Sequence, residues 1–152
     1  MKALRFEYVG LPESVNHLYL VKGGRKILTT QGRKYKNDFI LRGGGVPPAD
    51  LMAFNPQQNE PYELNLFFYM LEETVLNLTY GVDKRVKSPF ADIDTTNLIK
   101  LAEDCIATVV GIRDRNNFDV HAHKRITLGE ERLVAWLRPL EGVIIESDED
   151  GW

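Results

Sequence analysis

The sequence predicts an α+β fold: a single domain with a mixed β-sheet and two main helices on one of its faces. Three observations carry this. Residues 3–9 alternate, with Leu4, Phe6 and Tyr8 on one side, as a half-buried strand does. Apolar residues recur at helical spacing through Leu98, Leu101, Ala102, Cys105, Ile106 and Val109. Between and after them, aromatic and β-branched runs at 62–71, 118–126 and 132–137 give a strand-rich order that a helix interrupts twice.

Each element has a local cause. Residues 11–19 read as a loop by their Pro, Ser and Asn content, and Gly23-Gly24 turns into a short strand at 26–28. Thr29 or Thr30 caps a helix running to about Leu41, which Gly43-Gly44-Gly45 ends. Residues 46–61 hold four of the seven prolines and offer little regular structure beyond a turn at 49–54. Residues 62–71 are the strongest strand, and 74–80 are expected to extend the sheet. A basic loop from Gly81 to Pro89 leads to the second helix, which Gly111 stops. Phe118, Val120 and Ala122 alternate with Asp119, His121 and His123, and Trp136 weights the last strand.

The chain has 152 residues, 43% of them hydrophobic, enough for one core. No apolar run approaches the roughly 20 residues needed to span a membrane, and the first residues do not read as a signal peptide. The single cysteine, Cys105, lies on the apolar helix face, so no disulfide framework is expected and a reducing, cytoplasmic setting is.

Net charge is −3, which by itself argues against a nucleic-acid partner. Its distribution argues otherwise. Residues 141–152 carry five acids and no base, leaving +2 on residues 1–140. The domain is therefore read as 1–140, with 141–152 an acidic tail expected to be disordered at its end. Lys22, Arg25, Lys26, Arg33, Lys34, Lys36 and Arg42 crowd one stretch against the single acid Asp38. Lys84, Arg85 and Lys87 form a second group. A basic run is usually a solvated face; two of them flanking carboxylates point to a polyanion.

Those carboxylates are Asp92 and Asp94. Two aspartates one residue apart share a face if the segment is extended, and a helix begins almost at once. On that helix Asn97, Lys100 and Asp104 fall within roughly 60° of arc. Carboxylates, a helix N-terminus and a lysine thus converge, a combination suited to a cation and a phosphate. Hard oxygen ligands suit Mg²⁺, with Mn²⁺ as substitute. The histidines His17, His121 and His123 match no zinc motif. A third carboxylate is expected from elsewhere, and Asp114 is the natural candidate. It follows the helix at the end opposite Asp94, and joins the site only if the chain doubles back.

Three segments resemble the RusA-type Holliday junction resolvases, small dimeric metal-dependent endonucleases of phage and prophage origin. Pro12-Glu13-Ser14-Val15-Asn16-His17-Leu18-Tyr19, continuing through Gly24-Arg25, Gly32 and Tyr35, is similar to the family's opening segment. Asp92-Ile93-Asp94 with Asn97-Leu98, Lys100 and Asp104 is similar to its Asp-x-Asp-Asn-Leu-x-Lys followed by Asp one turn on. Asp114-Arg115-Asn116-Asn117-Phe118-Asp119, leading to Lys124, resembles its acidic turn before a strand ending in lysine. The resemblance implies that Asp92, Asp94 and Asp114 ligate Mg²⁺ and that Lys100 supplies positive charge at the scissile phosphate. It also implies a homodimer that nicks four-way DNA junctions in a bacterial or phage setting, without a membrane partner. Asn16, Arg25, Lys26, Arg33, Lys36, Lys84, Arg85, Lys87 and Asn97 are then the expected DNA contacts.

Thr95-Thr96 depart from the family pattern, adding two residues between the second aspartate and Asn97. Either a turn bulges before the helix with a threonine as cap, or Lys100 is displaced. Two other functions share these features: a non-catalytic junction- or single-strand-binding module, and a nuclease of broader structure selectivity.

Overall fold

In the computed structural model, residues 3–12, 15–57, 59–93 and 95–141 are described. Four strands form one mixed sheet in the order β1-β6-β4-β5: β1 (Leu4–Val9), β4 (Tyr62–Leu71), β5 (Asn117–Thr127) and β6 (Arg132–Pro139). A separate hairpin is made by β2 (Tyr19–Lys22) and β3 (Arg25–Leu28). The helices are α1 (Thr30–Leu41), α2 (Pro48–Phe54), α3 (Glu72–Val75) and α4 (Thr95–Val110). β1 and β4 run antiparallel to β6, while β4 and β5 are parallel. The fold is single-domain α+β with a mixed sheet.

Alternation decides which face is covered. Along β4, Tyr62, Leu64, Leu66, Phe68 and Met70 are buried while the residues between them are half-exposed. Leu4 and Phe6 of β1 and Leu133, Ala135 and Leu137 of β6 complete that inner face. Against it pack Phe39 of α1 and Leu98, Leu101, Ala102, Cys105 and Ile106 of α4, the apolar stripe expected from the spacing. Burial pushes the Cys105 thiol up to about 12, so it remains a neutral core group.

Thr29 is the α1 cap, its side-chain oxygen accepting from Gly32 N at 3.2 Å. The three glycines after α1 do more than stop it. Gly45 has φ +77°, and a Cβ there would stand 2.2 Å from Glu7 O, so only glycine lets this turn lie against β1.

Four local expectations change. Residues 74–80 do not extend the sheet: α3 ends at Val75, and only a single bridge, Leu76 to Phe90, continues the pairing. The 49–54 turn is a two-turn helix, α2, with Pro48 at its first position, where a missing N–H costs nothing. Tyr19, read as the end of a loop, and residues 20–22, to which the sequence assigns no element, form a strand that pairs with β3. β5 is exposed along most of its apolar side as well as its polar side, unlike β1, the other edge strand, whose apolar side is buried. The acidic tail beyond Glu141 lies outside the described residues, as do Glu13, Ser14 and Asp94.

Candidate functional site

The first turn of α4 is the meeting point. Thr95 is already the first residue of α4, so Thr95 and Thr96 lie in the helix and not in a bulge ahead of it. From Thr95 onward, Asn97, Lys100 and Asp104 come one turn apart on a single face. The β2–β3 hairpin lies against that face. Lys26 Nζ donates to Asn97 Oδ1 at 2.9 Å, and Asn97 is buried. Two ammonium groups lie over the Tyr19 ring, Lys26 Nζ at 5.4 Å and Lys100 Nζ at 5.3 Å from its centroid. Both distances suit a cation over an aromatic ring. Burial, and then the Asp104 charge, push the Tyr19 hydroxyl up to about 12, so it stays protonated and uncharged at neutral pH.

Asp92 is tied through its backbone to the segment that leads into the hairpin. Asn16 Nδ2 donates to Asp92 O at 3.0 Å, tying the loop before β2 to the segment entering α4 across 76 positions of sequence. The Asp92 residue is exposed. Lys100 is directed at the hairpin, over the Tyr19 ring.

The other expected contacts divide. Lys36 of α1 pairs with Asp104 at 2.7 Å, which locks α1 to α4 and offsets part of its charge. Arg33 is engaged locally, donating to Leu28 O at 3.0 Å and Thr30 Oγ1 at 3.3 Å. Arg25 is exposed at the hairpin turn. Lys84 and Lys87 are exposed on the loop before Asp92, where Arg85 pairs with Asp83 at 3.0 Å.

Asp114 is placed elsewhere. It opens a short 3-10 turn after α4, at the end of the sheet where β4 and β5 begin. Asp92 lies before the other end of α4, a helix of 16 residues and about 24 Å. The strand after α4 does run beside β4, but parallel to it, so the chain does not carry Asp114 back to Asp92. Asp114 has a different neighbour: burial, then repulsion by Asp114 and Asp104, raises the Glu103 carboxyl above its usual range. Among the described residues no group of three or more His, Cys, Asp or Glu side chains is gathered for a metal.

Sequence reasoning found the shared face of Asn97, Lys100 and Asp104 but missed Tyr19 as the ring that two lysines approach. The signal was weak: a tyrosine seven residues ahead of a lysine shows nothing until the hairpin pairs. No helix among the described residues is long and apolar enough to cross a membrane. No protein-family model matches the chain, and no curated protein matches it.

Proposed function

We propose that this chain is a Mg²⁺-dependent endonuclease acting as a homodimer on branched DNA, most characteristically four-way junctions. The observation that carries the reading is the convergence of Lys26 and Lys100 on Tyr19 against α4, the helix that exposed Asp92 leads into. Two ammonium groups gathered on one ring are suited to a phosphodiester, whose charge grows as it is attacked. The resemblance to RusA-type resolvases in three ordered segments supports the same substrate.

The donor chemistry at Asp92 fits a hard divalent cation: carboxylate oxygens, open to solvent, with no sulfur or imidazole near in sequence. In this reading Asp92 and Asp94 hold Mg²⁺, or Mn²⁺ in its place. When bound, the cation supplies an activated water and neutralises charge on the phosphate. Lys100 lies over the non-bridging oxygens, Lys26 holds the neighbouring phosphate, and Asn97 keeps Lys26 in place. Asn16 fixes the backbone from which Asp92 projects. Asp114 stands at the far end of α4 and outside this site, and the ligand role that the resemblance assigns it is separately testable. A C₂ homodimer fits the substrate, since a four-way junction offers two equivalent strands for paired nicks.

A second reading, a non-catalytic junction- or single-strand-binding module, is favoured by the distance between Asp114 and Asp92. One panel decides. Purified protein is incubated with junction, flap and duplex DNA in Mg²⁺, with and without EDTA. Paired nicks in the junction that EDTA abolishes support the nuclease. Equal cutting of flaps and junctions makes it a broader structure-selective nuclease. Binding without cutting in Mg²⁺ or Mn²⁺ overturns catalysis.

A further inference from the structure

The loop between α3 and α4 carries an apolar patch that the site described above does not use. Its neck is closed by Ala91 N donating to Val75 O at 2.8 Å, Asn77 N to Pro89 O at 2.9 Å, and the Leu76–Phe90 bridge. The Asn77 side chain adds two bonds across the neck, to Ser88 O at 2.9 Å and Phe90 O at 3.0 Å. Inside, successive turns order the backbone: Tyr80 N to Asn77 O, Val82 and Asp83 N to Thr79 O, and Val86 N to Asp83 O, all between 2.8 and 3.1 Å. A loop stapled in this way presents its side chains in a fixed arrangement. What it presents is apolar: Leu78 is 60% exposed, Tyr80 50%, Val82 87% and Phe90 65%. So many large apolar side chains on one loop mark an interaction surface.

Charge selects the partner. The same loop holds Lys84, Arg85 and Lys87 against one acid, Asp83, which Arg85 occupies. Lys84 and Lys87 are left as its outward charges. A second copy related by a two-fold axis would bring these like charges together. A polyanion with exposed apolar surface satisfies both features, and in DNA that surface appears where bases are unpaired. The neck closes at Ala91, one residue before Asp92, so DNA engaged at Asp92 and Lys100 runs beside the loop.

We infer that residues 77–90 form a branch-reading element, in which Tyr80, with Val82 beside it, stacks on bases unpaired at a DNA branch point while Lys84 and Lys87 hold the flanking phosphates. This rests on the reading of the chain as a branched-DNA enzyme. It adds what that reading lacks, a means of telling a branch from a duplex. Stacking is indifferent to sequence, because every base has a π-face, so the element reads structure and not sequence.

The test uses the full chain in Ca²⁺, with a four-way junction carrying 2-aminopurine at the branch point and a duplex of equal length. Wild-type protein is expected to prefer the junction and to change the 2-aminopurine fluorescence. Tyr80→Ala should lower that preference about tenfold, the scale of one lost base stack, and remove the fluorescence change. Tyr80→Phe should keep both. Lys84→Ala with Lys87→Ala should weaken junction and duplex binding alike and leave their ratio unchanged. An unchanged ratio in Tyr80→Ala overturns the branch-reading element while leaving the nuclease reading intact. No DNA binding by the wild type overturns both. Loss of dimerisation or of binding to phosphatidylserine vesicles in Tyr80→Ala, at an unchanged junction ratio, assigns the patch to a second copy or a lipid surface and overturns the inference.

Discussion

The Lys26 ammonium donates to the Asn97 side chain at 2.9 Å and joins two elements that share no strand pairing, the β2–β3 hairpin and the first turn of α4. Asn97 is buried, the lysine is charged, and 71 positions of sequence separate them. A hydrogen bond to a charged donor at a covered site is a stronger tether than a surface ion pair. It sets where the hairpin stands relative to α4, and hence how close Lys26 and Lys100 come over the Tyr19 ring.

Removing that acceptor should loosen the hairpin. Asn97→Ala is expected to lower stability by about 1.5–3 kcal/mol in urea unfolding, the range for losing a hydrogen bond to a charged group. Lys26→Met should cost less, because the methionine stem still packs on Tyr19. In the double variant the two effects should fall short of additive by about 0.5 kcal/mol or more, the mark of a direct contact. Additive losses would mean that the two residues do not hold one another.

The two ends of α4 make separable predictions for the carboxylates. Asp92→Asn should abolish Mg²⁺-dependent nicking while junction binding in Ca²⁺ persists. Asp114→Asn should do the same if Asp114 ligates the metal, as the resemblance to the resolvases implies. If Asp114→Asn keeps full turnover while Asp92→Asn has none, the cation is held at the α4 entrance without it. Isothermal titration with Mn²⁺ checks the assignment independently of cleavage: each ligand lost should weaken binding by about tenfold or more.

Much of this was legible before the fold. The apolar stripe of α4 named its buried face residue by residue, since Leu98, Leu101 and Ile106 sit where helical spacing puts them. Thr29 announced the α1 cap, and the aromatic run at Tyr62–Leu71 announced the central strand. Residues 74–80 misled because Thr, Val and Tyr favour strands, while Glu72 and Glu73 suit the first turn of a helix and the chain had already left the sheet at the end of β4. β5 misled in another way: its alternation is real, but its apolar side is exposed along most of its length. The site was half legible. Periodicity put Asn97, Lys100 and Asp104 on one face, yet nothing local brings Tyr19 and Lys26 to them, because that depends on pairing between distant segments.

Acid should destabilise the sheet at an identifiable pair. Arg138 donates to Glu63 from Nε at 2.6 Å across the β4–β6 ladder, and this hydrogen bond holds the Glu63 carboxyl below its usual range. The folded state therefore binds that proton less readily than the unfolded chain does. The stabilisation is fully present above the unfolded value near 4.5 and is lost as pH falls through the lower, folded value. Glu63→Gln should lower Tm by about 2–4 °C at pH 7, and the difference from wild type should shrink as pH falls below about 4. A difference that does not vary with pH would show that the pair contributes packing and no charge.

Lys100 gives the sharpest test, because Thr95 and Thr96 could have turned it away from the site. They lie inside α4, and Lys100 Nζ stands 5.3 Å from the centroid of the Tyr19 ring that Lys26 Nζ also approaches. If this lysine meets the developing charge on the phosphate, Lys100→Ala should cut kcat by about 10²-fold, the usual scale for one preorganised charge. Junction affinity in Ca²⁺ should barely move, since one phosphate contact among many contributes little. Lys100→Arg keeps the charge and its stacking on Tyr19, so it should recover part of the lost rate. Tyr19→Leu should mimic a partial loss of Lys100 by freeing the ammonium, whereas Tyr19→Phe should be near wild type, because the hydroxyl carries no charge at neutral pH. Deleting Thr95 and Thr96 removes two residues of helix, about 200° of rotation, between Asp92 and Lys100. If the first turn of α4 sets their alignment, that deletion should abolish nicking in a protein that still folds. Nicking at wild-type rate after the deletion, or a silent Lys100→Ala, would remove Lys100 from the chemistry and leave Lys26 as the cation to test next.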